Sequence, residues 1–158
     1  TAFSALTNMP AKNDEEFDFV SVVKRTLDIF NTDEIHFTHS HDEIIAVFDK
    51  DQLGRVVTNL VKNALQATEN EPFPAIEVTL TKTENDITLI VKDNGIGIAD
   101  VDKEKIFEPK FTTKTSGSGL GLAMVKNIVL SYNGSISFTS QVGKGSEFVI
   151  TLVHFLNK

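Results

Sequence analysis

The segment 51–70 constrains the fold of this chain more than any other, because its apolar residues recur at intervals of three and four. This spacing places them on one face of an α-helix, and Asp51 is positioned to cap the first turn. A second helical pattern runs from 119 to 132 and stops at Asn133–Gly134. A third covers 17–30, where a short alternation precedes the helical spacing. Each predicted helix therefore has one apolar face that another layer must cover.

The segments between these helices alternate apolar and polar residues, which is the pattern of half-buried strands. "IHFTHS" and "EIIAVFD" flank a polar turn at 40–43 and predict a hairpin. "AIEVTLTK" and "DITLIVKD" predict a second hairpin around "TEND", and "SISFTS" and "SEFVITLV" predict a third around a glycine-rich turn. About three helices and five to seven short strands in this order predict an α+β fold, with the helices on one face of a mixed sheet.

The composition is that of a soluble globular domain and excludes several classes of function. The chain has 158 residues, enough for one domain with its own core, and its net charge of −7 argues against nucleic acid as the main partner. Cysteine is absent, which excludes disulfides and thiolate metal sites. No apolar run approaches the roughly 20 residues of a membrane helix, and the start of the chain lacks the features of a secretory signal. Residues 1–16 are irregular and are interpreted as a linker.

The long irregular segment 94–118 contains the strongest functional signals, because loops of this length in a compact domain usually have a function. It leads into "GSGLGLAM" (117–124), where three glycines precede a helix. The spacing fits neither the dinucleotide fingerprint nor the Walker loop. By itself the segment fits either a phosphate-binding turn or a simple tight turn. The similar "GKGS" (143–146) lies between two strands and is interpreted as a hairpin turn.

A stripe of amides and one acidic residue also indicate a ligand. Asn59, Asn63 and Gln66 share one face of the helix over 51–70, either as a solvated polar face or because an amide oxygen can bind Mg²⁺ already held by phosphates. Asp93 ends a predicted strand and begins "DNGIGI" (93–98), which fits either a turn formed by Asp and Asn or part of a ligand site. A hairpin turn fits badly, because no matching strand follows directly. A carboxylate at that place would accept from the amine of adenine and repel the carbonyl oxygen of guanine.

Four motifs in order resemble the ATP-binding catalytic domain of the sensor histidine kinases. "NLVKNALQA" (59–67), "DNGIGI" (93–98), "IFEPKFTTK" (106–114) and "GSGLGLAM" (117–124) look like the N, G1, F and G2 boxes of that family. The resemblance covers about residues 17–153. It implies the Bergerat fold, an α/β sandwich shared with gyrase and the mismatch-repair ATPases, with an ATP lid at about 94–118. "FSALTNMP" (3–10) resembles the exit of the dimerisation helices in kinases of the nitrogen-regulation type, so the domain is expected to occupy 17–158.

The resemblance also implies roles for individual residues. Asn63 matches the Mg²⁺ ligand, Asn59 matches the amide one turn earlier near the phosphates, and Lys114 matches a phosphate contact in the lid; these three are the predicted catalytic residues. Phe107 and Phe111 match lid anchors, although Phe107 also fits an ordinary core position. The predicted ATP contacts are Asn59, Asn63, Gln66, Ala67, Asp93, Gly95, Gly97, Ile98, Phe107, Thr113, Lys114, Gly117, Ser118, Gly119, Leu120, Gly121 and Leu122.

Three positions depart from the family pattern, and one expected residue is missing. Gln66 stands where many members have a basic residue, Ala67 where many have Tyr, and Lys110 where an aromatic residue is frequent. The family's phosphoacceptor is a histidine on a helix, and the four histidines of this chain lie on or beside predicted strands. His39 and His41 with Asp42 fit a metal site poorly and a solvated turn better.

Three functions remain open on the residues: the catalytic domain of a histidine kinase, a self-contained ATPase or serine kinase of the same fold, and a binding module without activity. Hydrolytic relatives have a Glu four residues before the metal Asn, and here that residue is Asn59, which is no base. The intact boxes argue against the third function. We therefore expect Mg–ATP as ligand. The expected partners are a dimerisation domain with the acceptor histidine and, through it, a response regulator. The full-length protein is expected to be a homodimer, and this fragment alone a monomer. The domain is expected to be cytoplasmic and bacterial, with the full-length protein anchored in the inner membrane in some cases.

Overall fold

The computed structural model describes residues 11–109 and 121–155. Three α-helices, a single-turn 3₁₀ helix at Asp100–Asp102 and seven strands are present in these two ranges. The helices are α1 (Phe19–Asp28), α2 (Lys50–Ala67) and α3 (Gly121–Ser131). The strands are β1 (Asp14–Asp18), β2 (Ile35–His39), β3 (Ile45–Asp49), β4 (Ile76–Lys82), β5 (Asp86–Asp93), β6 (Ser135–Gln141) and β7 (Gly145–His154).

The main sheet is mixed, as the sequence predicts. Its five strands lie in the order β2-β4-β5-β7-β6, with β2 parallel to β4 and every other pair antiparallel. Strands β4 and β5 form the predicted hairpin, and so do β6 and β7. Helix α2 packs between α1 and α3, so the three helices form one layer over the sheet. The predicted α+β sandwich is therefore confirmed.

The predicted hairpin between β2 and β3 is wrong. Strand β2 pairs in parallel with β4, and β3 instead pairs antiparallel with β1 in a separate two-stranded ribbon. The ribbon is favoured by aromatic packing, because Phe17 stacks on Phe19 at 5.0 Å between ring centroids and Phe19 meets the edge of Phe48 at 5.6 Å. Asp18 adds a polar contact, since its Oδ1 accepts from the backbone N–H groups of Val20 and Ile44. Because β1 and β3 are far apart in the sequence, no turn between them indicates that they pair.

Two predicted boundaries also differ from the structure. Helix α2 is capped by Asp49 rather than by Asp51, because the Asp49 carboxylate accepts from the backbone N–H groups of Asp51 and Gln52. Strand β1 begins at Asp14, so residues 14–16 pair with β3 and are not part of an irregular linker. The predicted exit of dimerisation helices at 3–10 lies outside the described residues.

The core lies between the helix layer and the sheet. Its fully buried members from α2 and α3 include Leu53, Val57, Val61 and Ile128, and they meet alternate residues of β4, β5 and β7. This is the apolar face that the spacing over 51–70 predicts. None of the helices that the structure describes is both long enough and apolar enough to cross a membrane.

Candidate functional site

The amide stripe of α2 lies beside α3. The Nδ2 of Asn59 donates to the carbonyl oxygen of Arg55 at 2.8 Å, which orients its Oδ1 towards α3. A Cβ added at Gly121 would lie 2.9 Å from this oxygen, so the two helices touch at this pair. Asn63 follows one turn later and is half-buried, and its side-chain amide makes no hydrogen bond to any residue in the described ranges. An amide at this place can therefore bind a ligand.

Asp93 is the last residue of β5 and is only 5% exposed. Its Oδ1 accepts from the backbone N–H of Gly95 at 2.9 Å, which turns the chain away from the sheet. The turn continues to α2, because the N–H of Ile96 donates to the carbonyl oxygen of Ala67 at 3.0 Å. The buried carboxylate is thereby held near the carboxyl end of the helix that contains Asn63.

The glycines of "DNGIGI" have close neighbours in the chain itself. A Cβ on Gly95 would lie 2.3 Å from the carbonyl oxygen of Ala67, and one on Gly97 would lie 2.3 Å from that of Gln141. Gly97 also has φ of +75°, a conformation that residues with a side chain rarely adopt. These contacts explain both glycines without a bound base. Their predicted contact with adenine remains a prediction.

The segment after Gly97 is anchored to β6 and β7. The N–H of Ile98 donates to Ser140 Oγ at 2.8 Å, and Ser140 Oγ donates to the carbonyl oxygen of Gly145 at 3.1 Å. The ammonium of Lys103 donates to the Ser140 carbonyl oxygen at 2.7 Å. Ser140 thus fixes the exit of the Asp93 turn, and sequence reasoning missed it because a serine on an alternating strand carries no functional signal.

Phe107 fits two interpretations from the sequence, a lid anchor and an ordinary core residue. It is half-buried, and its ring meets the edge of Phe138 with 5.8 Å between centroids. The ammonium of Lys126 on α3 lies 5.3 Å from the same ring. Ile106 beside it is buried in the core. Phe107 therefore ties the middle of the predicted lid segment to the core, which is compatible with both interpretations.

The other predicted residues fall into two groups. Gln66 is half-buried on α2, next to Ala67. Gly121 and Leu122 are the first residues described on α3, and Leu122 packs partly buried against the core. The remaining predicted residues lie outside the described ranges: Lys110, Phe111, Thr113, Lys114, Gly117, Ser118, Gly119 and Leu120.

The opposite end of α2 contains a buried carboxylate with a structural role. Burial alone would raise the pKa of Asp49, but N–H donors from Asn13, Gln52 and Asp51 outweigh burial and lower the pKa below its usual value. The charged group is thereby stabilised in the folded protein. The sequence analysis predicts this capping role for Asp51, which lies two residues after the observed cap.

The histidines form no metal site in the part of the chain that the structure describes. His39 Nδ1 lies 2.8 Å from the carbonyl oxygen of His41, and Ser40 Oγ lies 2.7 Å from His41 Nδ1. Within the described ranges no group of three or more His, Asp or Glu side chains could hold an ion. The hydrogen bonds of His39 and His41 are instead made within residues 39–41, beside the polar turn that the sequence predicts.

A family profile described as "Histidine kinase-, DNA gyrase B-, and HSP90-like ATPase" matches residues 48–154, which is more than half of the chain. The matched range contains the amide stripe and Asp93. It also contains the contact between Asn59 and Gly121 and the hydrogen bond between Ile96 and Ala67. The chain belongs to this family.

Within this family, the relatives of similar sequence include sensor histidine kinases and a sporulation kinase. The sensor histidine kinase ZraS of Escherichia coli strain K12 is 44% identical over 104 residues, covering 66% of this chain and 22% of the relative. Sporulation kinase A of Bacillus subtilis strain 168 is 33% identical over 132 residues, covering 84% of this chain and 22% of the relative. The chain thus spans about a quarter or less of the length of these relatives.

Solved structures agree with this assignment. The catalytic domain of histidine kinase ThkA, in a nucleotide-free form, superimposes with a TM-score of 0.78 at 28% identity, covering 90% of this chain and 97% of the other. The mycobacterial sensor histidine kinase MprB gives a TM-score of 0.75 at 28% identity, covering 89% and 97%. The fold and domain type inferred from the four motifs are confirmed: this is the ATP-binding catalytic domain of a sensor histidine kinase.

Proposed function

We propose that this domain binds Mg–ATP and presents the γ-phosphate to a histidine on a separate dimerisation domain. The observation that carries the proposal is the junction between the turn after β5 and the carboxyl end of α2. Through the Gly95 and Ile96 contacts with Ala67, this junction holds the buried Asp93 carboxylate beside the helix that contains Asn59 and Asn63.

Asp93 supplies the selection of the base. Its carboxylate has only acceptor oxygens, so it favours a ring that offers an amine and disfavours one that offers a carbonyl oxygen. The hydrogen bond from Gly95 fixes the carboxylate in place before a nucleotide arrives. A preorganised acceptor in a buried position discriminates better than one on the surface, because an unpaired partner is costly there. This predicts preference for adenine over guanine.

The side-chain oxygen of Asn63 is the ligand that would hold Mg²⁺ together with the phosphates of the nucleotide. A neutral, hard amide oxygen without a partner in the described ranges fits an ion whose remaining ligands are phosphate oxygens and water. Held there by Asn63, the ion would neutralise charge on the phosphates. Asn59 borders the same space, where its amide is oriented by Arg55.

The acceptor lies outside this chain. His36 and His39 are on β2, His41 is in the following turn, and His154 ends β7 with its Nδ1 2.5 Å from Asp86 Oδ1. None of the four is on a helix, where the family's acceptor stands. Since phosphoryl transfer needs an in-line nucleophile as well as bound phosphates, this domain supplies only the second part.

The expected partners follow from the separation of the ATP-binding domain from the acceptor histidine. We propose that the parent protein carries the acceptor histidine on a dimerisation domain and acts as a homodimer. A response regulator would receive the phosphoryl group from that histidine. The relatives are bacterial proteins, and we propose a bacterial parent in which this domain is cytoplasmic, with an inner-membrane anchor elsewhere in some parents.

Radiolabelled ATP tests the proposal in two steps. The chain alone should bind ATP without labelling itself or releasing phosphate at an appreciable rate, because it lacks both an acceptor and a general base. Adding a polypeptide with the acceptor helices should give a label that is stable in base and labile in acid. Steady-state hydrolysis by the chain alone would instead favour the self-contained ATPase.

Asn63→Ala is the variant that tests the metal role within this experiment. We expect transfer to the acceptor helices to fall by at least an order of magnitude while metal-free ADP binding changes little. The matched control is Asn85→Ala, which removes an amide from the turn before β5, at the end of that strand opposite to Asp93. Full transfer by Asn63→Ala would overturn the assignment of Asn63.

A further inference from the structure

Residues 12–14, here called the entry segment, contact the ends of both helices that contribute to the proposed site. The backbone N–H of Asn13 donates to Asp49 Oδ2 at 2.8 Å, and Asp49 caps α2. The ammonium of Lys12 donates to the Ser131 carbonyl oxygen at the end of α3. The same ammonium lies 4.0 Å from the ring centroid of Tyr132.

Tyr132 joins the entry segment to both helices. Its hydroxyl donates to Asp14 Oδ1 at 2.5 Å, and its ring stacks on Phe48 with 3.9 Å between centroids. Phe48 is fully buried and lies just before α2. One side chain therefore fixes the carboxyl end of α3 against β1 and against the amino end of α2.

The amino end of α3 meets the middle of α2 at the candidate site. Asn59 lies eleven positions after Phe48, and Gly121 lies eleven positions before Tyr132, so α2 and α3 run antiparallel between two contact points. Eleven helical residues span about 16 Å. At the distant point the two helices are in direct contact, because a Cβ on Gly121 would lie 2.9 Å from Asn59 Oδ1. A small shift of α3 along α2 at Tyr132 therefore changes the contact between Asn59 and Gly121.

We infer that Tyr132 is a positioning residue that couples the entry segment to the nucleotide site, through the rigid antiparallel pair of α2 and α3. The inference rests on the proposed nucleotide binding. The Tyr132 contacts hold α3 in the register that places Gly121 against Asn59, and their loss lowers the fraction of molecules in that register. Apparent nucleotide affinity falls by the same fraction. Because coupling between two sites is reciprocal, bound nucleotide must stabilise the entry segment in return.

Four variants separate this coupling from ordinary structural support. Tyr132→Phe keeps the stack on Phe48 and removes only the hydroxyl, while Asp14→Asn removes the charge that the hydroxyl meets. The double variant tests whether both act through one bond. Glu16→Gln is the matched control, since it removes a charge from the same strand at an exposed residue that pairs with Val47 of β3.

Two measurements are needed on each variant: the dissociation constant for a fluorescent adenine nucleotide with Mg²⁺, and the exchange rate of the Asn13 amide hydrogen with and without Mg–ATP. We expect Tyr132→Phe and Asp14→Asn each to raise the dissociation constant about threefold to tenfold, with no further rise in the double variant. Glu16→Gln should match the wild-type chain. Nucleotide should slow exchange at Asn13 in the wild-type chain and less so in Tyr132→Phe.

The outcomes distinguish this inference from the proposed function. Wild-type binding with unchanged dissociation constants in Tyr132→Phe and Asp14→Asn would overturn the coupling alone, even if both variants unfold at lower temperature. An exchange rate of the Asn13 amide hydrogen that is the same with and without Mg–ATP in the wild-type chain would also overturn the coupling. Absence of nucleotide binding by the wild-type chain would overturn the proposed function and the coupling together.

Discussion

Asn59 of α2 and Gly121 of α3 lie in direct contact, since a Cβ at position 121 would lie 2.9 Å from Asn59 Oδ1 and would displace the end of that side chain. The asparagine is itself fixed by its hydrogen bond to the Arg55 carbonyl oxygen. A glycine predicted to bind phosphate thus also sets the distance between two helices. This double constraint links the packing of the domain to the site.

Gly121→Ala should weaken nucleotide binding more than it weakens the fold. The added methyl group displaces the end of the Asn59 side chain, which can rotate, so the cost to stability is small while the Asn59 amide leaves the position it has in the site. Nucleotide titration and urea unfolding measure the two effects. Asn59→Ala combined with Gly121→Ala should recover most of the stability and none of the binding. Wild-type affinity in Gly121→Ala would contradict the tight contact.

Gly54→Ala is the opposite case on the same helix. A Cβ at position 54 of α2 would meet no atom within 4 Å, so the substitution brings no strain. Alanine is favoured over glycine inside a helix by about 1 kcal/mol. We expect urea unfolding to show a gain of about 0.5–1 kcal/mol with unchanged nucleotide affinity. A loss of stability would mean that the surroundings of α2 differ from those described.

Ser140→Ala should disturb the Asp93 turn from a distance. Ser140 Oγ accepts from the Ile98 N–H, and without it a partly buried donor loses its partner, at a cost of about 1–3 kcal/mol. We expect lower stability and several-fold weaker ATP binding. Ser137→Ala, at an exposed position of the same strand, is the control and should leave both quantities unchanged. Equal effects of the two substitutions would remove Ser140 from the support of the site.

The sequence predicted the elements of the fold better than their partners. Helix α2 appears where the spacing of Leu53, Val57 and Val61 places it, because periodicity reports which face is buried. The β2–β3 hairpin failed because alternation identifies a strand without identifying its neighbour. The pairing of β3 with β1 depends on Phe19, which stacks on Phe17 and meets the edge of Phe48, and these contacts are set by the assembled core.

The candidate site shows the same division. Asp93, Asn59 and Asn63 could be proposed in advance as site residues because their residue types are unusual for their places on a strand end and a helix face. Ser140 and Tyr132 could not, because their roles depend on segments more than 40 residues away. Local patterns contain no information on such distant contacts.

Asp49 should make stability depend on acidity. Its pKa is lowered in the folded chain because N–H donors outweigh the effect of burial. A lowered pKa contributes stability that is fully present above the unfolded value of about 3.9 and is lost as the pH falls through the folded value. Asp49→Asn keeps a capping oxygen but removes the charge. The stability difference between wild type and Asp49→Asn should therefore shrink from pH 6 towards about pH 3 in urea unfolding. A difference independent of pH would contradict the charged cap.

Competition between ATP and GTP for a fluorescent adenine nucleotide is the most direct test of the central claim that Asp93 reads the base in an ATP site. The wild-type chain should bind ATP with micromolar to millimolar affinity in the presence of Mg²⁺ and discriminate clearly against GTP. Asp93→Asn should lose most of the ATP affinity, although its side-chain oxygen can still accept from Gly95. Equal affinity for ATP and GTP in the wild-type chain, or unchanged ATP binding by Asp93→Asn, would contradict the account.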